Sequence, residues 1–172
     1  MSLASVATPK TAASPTIKVG LGALAVTGDA GKGLSALGLG SCIGVAAYDK
    51  VAKVAGMVHV MLPESGIAST PGPAGKYADT AIPALLEGMA RLGAVPSRLV
   101  IKIAGGAQMF ATGGGNLNIG ARNAVAVRAA ITKAGLKVQS ADTGGSQGRT
   151  LELWVDDGRV TVRVVGKESV EL

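Results

Sequence analysis

Aromatic side chains are nearly missing from this chain: two tyrosines, one tryptophan and one phenylalanine in 172 residues. Surfaces that stack the bases of single-stranded nucleic acid need several such rings, so that class of function is excluded. Cysteine and histidine occur once each, as Cys42 and His59. A single cysteine forbids an internal disulfide, and the pair offers too few soft ligands for a structural zinc. No metal and no cofactor is expected. The longest uncharged stretches, 33–48 and 103–121, are broken by glycines and polar residues, so no membrane insertion is expected. Residues 1–16 carry one charge, Lys10, and no compact apolar core. No secretory signal is read there, and a cytoplasmic location is the default.

What the chain does have is glycine, 26 residues of it, and 48% hydrophobic residues against 16% charged. Small aliphatic side chains must therefore fill a globular core whose turns use glycine's conformational freedom. Seventeen Lys and Arg against eleven Asp and Glu give a net charge of +6 with no basic run. That balance implies mild attraction to an acidic partner rather than a nucleic-acid footprint.

Residues 1–16, with Pro9 and Pro15, read as a flexible leader before a domain at 17–172. A first strand is expected over 18–27, then a glycine-punctuated approach over 34–41. A hairpin follows, with strands at 43–48 and 54–62 around the turn 49–53. A proline-rich loop leads to a helix at 77–92, with Asp79 as N-cap and Gly93 as its stop. A strand at 98–104 precedes a second helix at 118–134, capped by Asn118, with Ala124, Val127, Ile131 and Ala134 on one face. A strand at 137–142 and a hairpin around Asp156-Asp157-Gly158 complete the chain. Strands at both ends and helices in the middle predict an α+β fold, a layered sheet with both helices on one side.

Cys42 follows Gly38-Leu39-Gly40-Ser41. A cysteine at a glycine-rich turn can be held near free backbone N–H groups, which is what a thiol nucleophile with an oxyanion hole requires. Gly40 and Ser41 are the candidates for that loop. The competing reading is a small buried apolar residue, the usual fate of a lone cysteine. If the two hairpin strands pair through 49–53, His59 comes to the same end as Cys42, where a base can take the thiol proton. The expected chemistry is a thiolate beside an imidazolium, with a lowered thiol pKa. The glycine clusters at 105–106 and 113–115 lack a phosphate-binding spacing and are read as tight turns near a site.

Several strings, in order, closely resemble the chemoreceptor glutamine deamidase family, CheD. They are Leu37-Gly38-Leu39-Gly40-Ser41-Cys42-Ile43-Gly44-Val45, Gly56-Met57-Val58-His59-Val60-Met61-Leu62-Pro63, Lys76-Tyr77-Ala78-Asp79-Thr80, Lys102-Ile103-Ala104-Gly105-Gly106-Ala107-Gln108, Asn118-Ile119-Gly120-Ala121-Arg122-Asn123 and Gly144-Gly145-Ser146-Gln147-Gly148-Arg149. The resemblance implies a single-domain α/β/β sandwich and a cysteine hydrolase, a protein-glutamine glutaminase that converts chemoreceptor glutamines to glutamate in chemotaxis adaptation. It implies Cys42 as nucleophile, His59 as general base and acid, and no cofactor. It also implies the chemoreceptor cytoplasmic domain as substrate and a CheC-type phosphatase as a further partner. One position departs from the family pattern: Ala36 stands where a third catalytic residue, a threonine, is expected. Ser35 is the candidate replacement hydroxyl, with Thr112 another. A binding module that has lost efficient catalysis is the alternative this departure raises.

Overall fold

Two neighbouring strands, β4 (Ile43–Asp49) and β5 (Val54–Val60), are buried along their whole length. A strand is apolar at every position only when both faces of its sheet are covered. That is the case here. The computed structural model describes residues 15–67, 71–110 and 118–172. β4 and β5 lie in a sheet with β2 (Leu24–Thr27), β6 (Val100–Gly105) and β7 (Ser140–Thr143), in the order β2-β5-β4-β6-β7. The second sheet comprises β1 (Thr16–Lys18), β3 (Gly33–Leu39), β8 (Arg149–Trp154), β9 (Val160–Val164) and β10 (Ser169–Glu171), in the order β1-β3-β8-β9-β10.

Alternation along the middle layer sends side chains to two cores. Ile43, Val45, Val58 and Val60 pack under α1 (Ala78–Arg91) and α2 (Ile119–Lys133), with Leu85, Met89, Val127 and Ile131. Ala46, Tyr48, Ala55 and Met57 face the other sheet and meet Leu34, Ala36, Leu151 and Leu153. The molecule is a three-layer α/β/β sandwich with both helices on one side, as its sequence predicts.

Four local expectations need correction. Residues 18–27 are two strands in different sheets: a turn at 20–23, with Gly22 at a φ of +70°, carries the chain from β1 to β2. The approach to Cys42 is itself a strand, β3, with a register shift between Ala36 and Leu39. Asp79 does not cap α1. The N-cap is Tyr77, and the Asp79 carboxylate accepts hydrogen bonds from the Ser65 N–H at 3.0 Å and hydroxyl at 2.7 Å. The C-terminal β10 was not expected. Asn118 does cap α2, its side chain accepting from the Ala121 N–H at 3.0 Å. Residues 1–14 of the expected leader lie outside the described residues, and Thr16 begins β1. Among the described residues, no helix is long and apolar enough to cross a membrane.

Candidate active site

The hairpin register sets the geometry. Ile43 pairs with Val60 and Gly44 with His59, so Cys42, one residue before β4, is a diagonal neighbour of His59 across the two strands. Diagonal pairs on one face lie roughly 7–8 Å apart at the backbone. Cys42 and His59 share the face toward the second sheet: Cys42 packs against the cluster that holds Ala46 and Met57. Between them stands Gly44, where a Cβ would come 2.9 Å from Leu39 and Leu151 side chains. The glycine leaves that space to its neighbours.

His59 is 2% exposed. Its Nδ1 lies 3.1 Å from the Val19 carbonyl oxygen. A carbonyl only accepts, so Nδ1 carries the proton and Nε2 presents a lone pair. Nε2 is buried and has no hydrogen-bond partner among the described residues. The Val19 carbonyl is well anchored. The Val19 N–H donates to the Ser35 carbonyl at 2.8 Å, the Gly22 N–H to the His59 carbonyl at 2.9 Å, and the His59 N–H to the Ala23 carbonyl at 3.0 Å. The crossover between the sheets is thus laced to the strand that bears the imidazole.

Ser35 is not brought to this imidazole. Its neighbours Leu34 and Ala36 point into the core between the sheets, so strand alternation turns Ser35 to the opposite face. Its hydroxyl is buried without a partner among the described residues. Thr112 and the glycines at 113–115 lie outside the described residues.

Around Cys42 the backbone is tightly fixed. Gly105 and Gly106 have φ values of +117° and +66°, and the Gly106 N–H donates to the Cys42 carbonyl at 2.8 Å. A Cβ on Gly105 would overlap that same carbonyl oxygen. These glycines form a tight turn beside the thiol, as the sequence suggests. The Gly40 N–H is engaged by Gly38, and the Gly40 carbonyl accepts from Ala107. Neither the Ser41 nor the Cys42 N–H donates to a main-chain carbonyl among the described residues.

The surroundings work against the expected thiolate–imidazolium pair. Burial pushes the Cys42 thiol up, only partly offset by its own N–H. Burial likewise pushes His59 down, against a smaller upward effect of the Val19 carbonyl. Low-dielectric surroundings penalise both charged forms, which favours a neutral pair. What such an arrangement can do is transfer the thiol proton to Nε2 as the sulfur attacks.

A cleft of about 190 Å³ opens beside Ser41, lined by Met109, Phe110, Asn118 and Ile119 among others. A larger groove of about 430 Å³ lies between the helices and contains neither Cys42 nor His59. Among the described residues no group of three or more His, Cys, Asp or Glu side chains converges to hold a metal. One residue that the sequence reading passed over also reaches the site: Asn123, fully buried on α2.

Residues 61–164 match the family model described as CheD chemotactic sensory transduction, a span that begins two residues after His59. The chain is 44% identical over 155 residues to a probable chemoreceptor glutamine deamidase CheD of Caldanaerobacter subterraneus, covering 89% of this chain and 95% of the relative. A protein of the same description from Symbiobacterium thermophilum is 46% identical over 157 residues, 90% of this chain and 95% of the relative. The chemoreceptor glutamine deamidase CheD of Thermotoga maritima is 47% identical over 148 residues, 86% of this chain and 91% of the relative. The solved structure of a Bacillus licheniformis hypothetical protein, YfiH, aligns over 47% of this chain and 26% of its own, at 21% identity and a TM-score of 0.31. That likeness is too slight to define a fold. The family match and the near-full-length relatives agree: this chain belongs to the CheD family.

Proposed function

We propose that this chain is a protein-glutamine glutaminase that deamidates glutamines of chemoreceptor cytoplasmic domains, acting in the cytoplasm. The observation that carries the reading is the buried, unpartnered Nε2 of His59 on the same sheet face as Cys42, its tautomer set by the Val19 carbonyl. The relatives named as chemoreceptor glutamine deamidases supply the substrate.

The chemistry follows from the groups present. His59 Nε2 takes the Cys42 thiol proton while Sγ attacks the amide carbon of the glutamine side chain. The oxygen becomes an oxyanion facing the Cys42 and Ser41 N–H groups. The protonated imidazole then gives its proton to the nitrogen, the C–N bond breaks, and ammonia leaves. A water attacks the resulting thioester, losing a proton to Nε2, and the Cys42 thiol is regenerated as glutamate departs. The missing threonine at Ala36 is tolerated in this scheme, because the Val19 carbonyl already orients the ring. The alternative of a catalytically weak binding module is not needed. A CheC-type phosphatase is a further partner in this proposal.

The test is ammonia release from a chemoreceptor cytoplasmic fragment. Wild-type protein should release ammonia in step with glutamate formation, and Cys42→Ala should release none. No release by a folded wild-type protein that still binds the fragment would sink the enzyme reading.

A further inference from the structure

Asn123 sits one helical turn beyond Gly120 on α2, and both are buried. It is a polar side chain on the stripe that continues with Val127 and Ile131. Its Nδ2 donates to the Ser41 carbonyl at 2.9 Å and to the Met61 carbonyl at 2.9 Å. Both amide protons are therefore used. Oδ1 is buried with no partner among the described residues, an arrangement that costs stability and needs another reason to exist.

The Ser41 carbonyl belongs to the same peptide unit as the Cys42 N–H. A trans peptide points its C=O and N–H in opposite directions from one rigid plane. Holding the carbonyl therefore aims the N–H, which donates to no main-chain carbonyl among the described residues. A hydrogen bond to the carbonyl also polarises the unit and strengthens its N–H as a donor. The second bond reaches Met61, two residues beyond His59, so one amide group fixes the thiol's peptide against the strand that bears the base.

We propose that Asn123 is a positioning residue for the oxyanion site, acting through the Ser41–Cys42 peptide. Its hydrogen bonds go to the Ser41 and Met61 carbonyls. The inference rests on the deamidase reading above and deepens it.

Two reactions of the same thiol separate this role from a merely structural one. Deamidation passes through an oxyanion, whereas alkylation of Cys42 by iodoacetamide is a direct displacement and forms none. For Asn123→Ala, deamidation of a chemoreceptor cytoplasmic fragment should fall roughly 100-fold, the usual loss for one oxyanion donor, while alkylation should change little. Asn123→Ser, which keeps one shorter donor, should show a smaller split in the same sense. Equal losses in both reactions would assign the residue to thiol placement and overturn the proposal. So would unchanged deamidation, or unfolding of both variants, which would make the amide a folding determinant. Inactive wild-type protein in the same assay would instead sink the deamidase reading, and this inference with it.

Discussion

The β4–β5 hairpin has two ends, and each buries an ionisable group. At the turn end Asp49 is fully buried and fully partnered. It accepts from the Val51 and Ala52 N–H groups at 2.9 and 3.1 Å, from the Val95 N–H at 2.8 Å, and from Arg98 at 2.7 Å. The Arg98 guanidinium and these N–H groups hold its carboxyl far below the usual carboxylate range. At the open end, His59 Nε2 and Asn123 Oδ1 are buried without partners among the described residues, and both Cys42 and His59 are pushed toward their neutral forms. The same two strands thus carry a satisfied polar cluster and an unsatisfied one. Satisfied buried groups hold a fold together; unsatisfied ones keep lone pairs for chemistry and cost stability.

The comparison can be broken by substitution, with the largest effect at the open end. Cys42→Ala should abolish deamidation, since no other thiol exists. His59→Gln should lower kcat roughly 10²- to 10⁴-fold, the range for a lost general base, with the fold intact by circular dichroism. Asp49→Ala should do the reverse. Urea unfolding should show a loss of roughly 1–3 kcal/mol, as for buried donors left without their acceptor, with activity per folded molecule unchanged.

pH sharpens the same contrast. His59 titrates below its ordinary value, so its stabilising contribution is complete above about pH 6.5 and is lost as pH falls through the folded value. Asp49 is likewise depressed, so its contribution is complete above about pH 3.9 and is lost only in stronger acid. Melting temperature should therefore decline in two stages on acidification, and His59→Gln should remove the first. Alkylation of Cys42 should keep rising with pH beyond about 8.5, the free thiol value; a plateau reached by pH 6 would restore the ion pair. The smallest effect is expected for Ser35→Ala, which should leave kcat unchanged because its hydroxyl faces away from His59.

Much of this architecture could be read from residue order. The short turn after Asp49 and the apolar runs on either side foretold the hairpin, and with it the shared end for Cys42 and His59. Asn118 and the spacing of Val127 and Ile131 foretold α2. Two features stayed hidden for physical reasons. Residues 18–27 alternate like one strand, yet Gly22 adopts a left-handed conformation and the chain changes sheets, a choice decided by which partner each half finds. Asn123 lies 82 residues from Ser41 and 62 from Met61, so nothing local announces its role. The available signal was a polar residue in line with Gly120, Val127 and Ile131. Proximity of a histidine argues for an ion pair, while burial, visible only in three dimensions, disfavours both charged forms.

The most direct test maps deamidated glutamines in a chemoreceptor cytoplasmic fragment by mass spectrometry, with wild type, Cys42→Ala, His59→Gln and Asp49→Ala in parallel. Each converted glutamine adds about one dalton, as NH is exchanged for O through the thioester. The account predicts that increment with wild type and Asp49→Ala, none with Cys42→Ala, and only slow accumulation with His59→Gln. Conversion by Cys42→Ala, or its loss in a folded Asp49→Ala protein, would contradict the division of labour between the two ends of the hairpin.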